Sequence, residues 1–125
     1  MTKNTMTPEE LSSSLAQFCG TEGYYKFSML SPLVMTDGVK YLADNAKCYW
    51  LLDIIASYQR KCSRDPMLCD IQFWTLRVKN GKGFVICERD EGDVAISQAI
   101  PATDFPLPEI KIWVENGVVL LPNEH

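Results

Sequence analysis

Two Asn-Gly pairs, Asn80-Gly81 and Asn116-Gly117, constrain this chain more than any other feature. Each stands between runs of residues that alternate in character, and Asn-Gly supplies the positive φ that a tight two-residue hairpin demands. Residues 71–79 lead into the first pair and 84–89 return from it; 109–115 and 118–121 flank the second. Between the hairpins, Asp90-Glu91-Gly92-Asp93 reads as a turn and 94–100 as a further strand, with Val94, Ile96 and Ile100 set against Ala95, Ser97 and Ala99. Pro101 to Pro108 holds three prolines and is a connection. None of these links has room for a crossover helix, so the five strands are expected to pair antiparallel.

The first half has helical spacing instead. Thr7-Pro8-Glu9-Glu10 combines a cap, a first-turn proline and a capping-box glutamate. Leu11, Leu15, Phe18 and Cys19 then share a face, which predicts a helix over 8–19 closed by Gly20. Tyr24 to Met29 reads as a short edge strand, interrupted by Ser31-Pro32, and Leu33-Val34-Met35 as a brief extended piece. Thr36-Asp37-Gly38 opens a second helical region across 37–60, broken near Asp44-Asn45. Its stronger stripe is Trp50, Leu51, Ile54, Ile55 and Tyr58. Cys62 to Asp70 is a loop. The expected fold is one α+β domain over 1–125: two to three N-terminal helices on one face of a mostly antiparallel sheet of four to six strands, with residues 1–6 disordered. Leu42, Trp50, Leu51, Ile54, Ile55, Leu76, Ile96 and Ile112 are the expected core.

A formal charge of −4 and a longest basic run of Arg60-Lys61 argue against nucleic acid, whose phosphates call for a basic stripe. Five cysteines, an odd number with no Cys-x-x-Cys, fit buried thiols in a reducing cytoplasm better than a disulfide scaffold. No apolar run approaches the roughly 20 residues that span a bilayer, and the start of the chain has no leader pattern.

The catalytic constellations fail in turn. The one histidine, His125, is terminal, which disfavours a Ser–His or Cys–His nucleophile. Cys62 and Cys69 are spaced too loosely for a zinc finger. The acidic turn after Glu88 lies between strands, not in a helix–loop–helix calcium site. Gly81-Lys82-Gly83 lacks the phosphate-loop spacing. The sharpest enzymatic string is Glu109-Ile110-Lys111 with Asp93 or Asp104 upstream. It looks like the carboxylate pair and lysine of magnesium-dependent nucleases, although the proline-rich 101–108 leaves no place for the helix those enzymes carry.

Several strings, taken together, resemble a family: 36–43 (TDGVKYLA), 49–57 (YWLLDIIAS), 87–90 (CERD), 103–110 (TDFPLPEI) and 120–122 (LLP). In that order the chain resembles an uncharacterised bacterial family, a domain of unknown function often met in cyanobacteria and on mobile elements. The resemblance runs from the first helix to the end. It implies a bacterial intracellular protein and carries over no activity and no catalytic residue.

The reading that remains is a small non-enzymatic binding or protein-interaction module without a cofactor, with a magnesium-dependent hydrolase centred on Glu109 and Lys111 as the alternative. Candidate contact residues are Asp37, Lys40 and Asp53 around the helical stripes, and Trp74 and Trp113 on the strands, where an exposed indole marks a contact. Val118 to Leu121 threatens an open apolar edge, which Tyr24–Met29 is long enough to cover. A monomer with that edge covered is favoured over a homodimer.

Overall fold

The computed structural model describes residues 6–29 and 31–125. Helix α1 (Pro8–Leu15) starts as its capping box dictates: the Thr7 side chain accepts from the Glu10 amide, and the Glu10 carboxylate accepts from the Thr7 amide. It ends at Ala16, one turn before Gly20, so only Leu11 and Leu15 of the expected stripe are fully buried. Most of the expected disordered N-terminus, residues 1–5, lies outside the described residues; Met6 is placed, and its Sδ accepts from the Tyr41 hydroxyl.

Two short strands follow, β1 (Tyr25–Lys26) and β2 (Val34–Met35). Then come α2 (Asp37–Ala46), α3 (Tyr49–Ser57) and the single turn α4 (Gln59–Cys62). The helical region is broken as expected, but at Lys47 rather than Asp44-Asn45. Lys47 takes a left-handed conformation, φ 55°. Asp44 and Asn45 stay helical because their side chains bond within or beside the helix: Asp44 to Lys40 and Tyr49, Asn45 to the Tyr41 carbonyl.

The second half forms β3 (Ile71–Lys79), β4 (Lys82–Glu88), β5 (Val94–Ile100), β6 (Glu109–Glu115) and β7 (Val118–Leu120), closed by a 3-10 turn at Pro122–Glu124. The Asn-Gly hairpins are as read: Asn80 and Gly81 have φ 56° and 74°, Asn116 and Gly117 53° and 78°.

The strands make one mixed sheet of seven, in the order β1-β2-β7-β6-β3-β4-β5. This corrects the expected four to six strands, and the 3-10 turn at the far end of the chain is helical structure outside the N-terminal half. Within residues 71–120 every pairing is antiparallel; the parallel contact is β2 on β7, Val34 beside Val118 and Met35 beside Val119. The β7 edge is therefore covered within the chain. The segment that covers it is Val34–Met35, and Tyr25–Lys26 pairs outside that.

The core lies between the helices and one sheet face. Leu42, Leu51, Ile55, Leu76, Ile96 and Ile112 are buried as expected, whereas Trp50 and Ile54 are only partly covered. Leu52 takes the inner position instead. The run Trp50 to Ile55 is apolar almost throughout, so its spacing admits two faces, and Cys48, Leu51, Leu52 and Ile55 are the one that packing selects. On β3 the even-numbered residues point to the helices: Gln72 exchanges two amide bonds with Gln59, at 2.8 and 2.9 Å, and accepts the Trp74 indole N–H at 2.8 Å. The odd-numbered residues therefore point away, to a face that no helix among the described residues covers.

Candidate functional site

That uncovered face carries the arrangement most suited to contact. Cross-strand register lines up Glu88, Phe73, Trp113 and Leu120 in one row. The next row is Ile86, Thr75 and Lys111, and the next Phe84, Arg77 and Glu109. A solvated face of an antiparallel sheet alternates out to polar residues. Here Phe73, Trp113, Ile86 and Phe84 break that pattern, and Phe84 is 48% exposed.

Trp113 is the centre. Phe73 meets it edge to face, with ring centroids 5.1 Å apart at 90°, and His125 packs on it at 5.2 Å and 70°. His125 is held there by Glu115, Nε2 to Oε1 2.9 Å. The terminal residue thus belongs to the face, a placement that spacing along the chain could not show. Phe73, Thr75 and Trp113 floor a shallow cleft of about 250 Å³, with Lys111 on one side and Glu88, Asp90 and Glu91 on the other. The Asp90 and Glu91 side chains stay exposed, while Glu88 also accepts the Gly92 amide at 2.8 Å. Further along, Phe84 sits in a groove with Arg77, Lys79 and Lys82.

The other candidates from the sequence lie elsewhere. Asp37 and Lys40 come together around Tyr25. Asp37 accepts the Glu22 amide and the Tyr25 hydroxyl, each at 2.8 Å, and these two bonds hold its carboxyl below the usual range. The bond to Asp37 raises the Tyr25 hydroxyl in turn. The Lys40 ammonium is 2.9 Å from Asp44, which raises its pKa, and 5.6 Å from the centre of the Tyr25 ring. Both side chains are thus engaged in tying the β1 segment to α2. Asp53 stands exposed on α3, apart from this pair and from the open face. Trp74 is 2% exposed beneath the helices. Of the two strand indoles, Trp113 is the accessible one.

Glu109 and Lys111 do share the open face, two residues apart on β6. Neither Arg77 nor Asp93 supplies Glu109 with the second carboxylate of a magnesium site. Glu109 is paired with Arg77, Nε to Oε2 3.0 Å, a cation where a second carboxylate is needed. Asp93 lies beyond Glu88, which pairs with Phe73, four positions along β3 from Arg77, or about 13 Å of strand. Asp93 bonds Arg89 there at 3.1 Å. Among the described residues no group of three His, Cys, Asp or Glu side chains is placed to hold a metal.

Among the described residues no helix is long and apolar enough to cross a membrane. No curated protein and no solved structure matches the chain. The shared pattern does extend over nearly its whole length: residues 9–125 match one family model, and the chain belongs to that family, DUF6876, a family of unknown function.

Proposed function

We propose that the protein is a non-enzymatic protein-interaction module of the cytoplasm that takes its partner on the open sheet face, with Trp113 as the anchor. The observation that carries this reading is the edge-to-face pair of Phe73 and Trp113 at the middle of a sheet face left free of helices. Aromatic anchors flanked by polar groups dominate the energetics of protein interfaces. Apolar side chains gathered on an uncovered face mark a contact surface more often than scattered ones do. The Lys111 side and the Glu88, Asp90 and Glu91 side of the cleft give a bound segment a polar orientation. A cytoplasmic setting is consistent with five free thiols, two of them exposed.

The test is affinity recovery from cell lysate with the wild-type chain and with Trp113→Ala side by side, each bait first shown to be folded by circular dichroism. A partner retained by the wild type and lost with Trp113→Ala, which also quenches or shifts Trp fluorescence in the purified pair, is the expected result. Recovery that Trp113→Ala leaves unchanged overturns the assignment of the face.

A further inference from the structure

We propose that the free edge of β5 pairs with β5 of a second copy, antiparallel across a two-fold, joining two seven-stranded sheets into one. This goes beyond the binding face and does not depend on it. The β7 edge is closed by β2 and β1, and the outermost strand on that side is two residues long with Lys26 in it. A short strand bearing a lysine is a well-blunted edge. The opposite edge is different. β5 is seven residues long and pairs only with β4, and among the described residues no backbone hydrogen bond leaves it on the other side. From Val94 to Ile100 it contains no charged residue and no proline. Its one irregularity, a register shift that sets Val94 opposite Glu88 and Ile96 opposite Cys87 and leaves Ala95 without a partner on β4, is confined to its first two residues.

The side chains favour a copy of the same strand. Pairing centred on Ser97 sets Ile96 opposite the partner's Gln98 and Ser97 opposite its own copy. Val94 pairs with Glu88 and so lies on the open side with Ser97 and Ala99, where it is 48% exposed. The other side chains on that side, Ser97 and Ala99, are small and leave nothing in the way.

Charge points to the same orientation. The turn before β5 carries Asp90, Glu91 and Asp93. At the other end of β5, Gly83 pairs with Ile100, so Lys82 lies one strand in from the edge, with Lys79 beside it. An antiparallel pair brings the acidic end of each copy to the basic end of the other, whereas a parallel pair would align like with like. A two-fold of this kind runs perpendicular to the sheet and puts both open faces on the same side.

Sedimentation at micromolar concentration is the test, on the wild type, Ser97→Lys and Trp113→Ala. The expected result is twice the chain mass for the wild type and for Trp113→Ala, and a monomer for Ser97→Lys with an unchanged circular dichroism spectrum. A dimer lost with Trp113→Ala but kept with Ser97→Lys would place the contact on the open face and overturn the proposal; so would a wild type that is monomeric throughout. Hydrogen exchange on the unmodified chain gives a second reading that needs no variant to fold. Outward amides of β5 should be protected in concentrated samples and exchange quickly on dilution. Fast exchange at every concentration overturns the pairing.

Discussion

The Glu124 carboxylate reaches the start of α2: Oε1 accepts the Thr36 hydroxyl at 2.6 Å, and Oε2 accepts the Gly38 amide at 3.1 Å. An anion there complements the partial positive charge of the helix N-terminus and satisfies an amide that the helix itself cannot. Thr36 meanwhile caps the Val39 amide. The Thr36-Asp37-Gly38 string is thus a structural knot. Thr36 and Gly38 bind the C-terminal turn, and Asp37 binds the β1 segment.

Glu124→Ala is expected to cost about 1–3 kcal/mol of stability, since it strips hydrogen bonds from partly buried partners. Urea denaturation measures it. A midpoint equal to wild type would show that the knot contributes nothing.

Gly38→Ala is expected to cost a similar amount, about 1–3 kcal/mol, by overpacking. A Cβ there would come within 2.7 Å of Leu121 Cδ1 and 2.8 Å of Glu124 Oε1. In the Glu124→Ala background the same substitution should cost less, because one of the two obstructing side chains is gone. A double-mutant cycle reads this coupling, and strict additivity would refute it.

Ile55→Ala should cost about 2–5 kcal/mol, because Ile55 is 0% exposed within the core. Ile54→Ala, one residue away on the half-covered side, should cost about 1 kcal/mol. Equal losses at the two sites would mean that α3 is turned differently.

Acid should weaken the fold through three aspartates. Asp37 is held low by the Glu22 amide and the Tyr25 hydroxyl, Asp44 by the Tyr49 hydroxyl and Lys40, and Asp65 by Arg89 at 2.7 Å and two backbone amides. Each has a folded pKa below its unfolded value of about 3.9. Their stabilisation is therefore complete above that value and is lost as pH falls through the folded values. Denaturant midpoints should drop below about pH 4, and Asp65→Asn should flatten that drop. An acid limb of unchanged steepness in the variant would contradict it.

The thiols divide by place. Cys19 and Cys69 are exposed, while Cys48, Cys62 and Cys87 are buried. Burial pushes the Cys48 thiol up to about 12, and hydrogen bonding to Cys62 together with burial raises Cys87. A thiol reagent at mild alkaline pH should titrate two groups promptly and the other three only on unfolding. Three or more prompt thiols in the native protein would show that the helix layer opens readily.

What the residues revealed in advance follows from how local each signal is. The Asn-Gly turns, the Thr7 capping box and the antiparallel meander are written within a few neighbouring positions, and they appear as read. The strand β2 is two residues long, too short for any alternation, and its parallel partner is far along the chain. Lys47 breaks the helix without a glycine to announce it. In α3 the apolar run is too continuous to declare a face, so the inner stripe had to be fixed by packing. Of the candidate contact residues, Trp113 alone proved to be on the open face, and its neighbours Phe73 and His125 come from positions that only the sheet register brings to it.

The pairing of β2 with β7 has a kinetic side. Val34 finds Val118, and Thr36 finds Glu124, across sequence separations of 84 and 88 residues. Such contacts close very long loops, and long-range contacts of this kind slow folding. Residues 37–62 can gain helix early from local contacts, but the knot that ties α2 to the C-terminal turn waits until the hairpin of β6 and β7 has formed. Shortening the chain before Leu121 should therefore leave a helical segment that forms and yet does not seat.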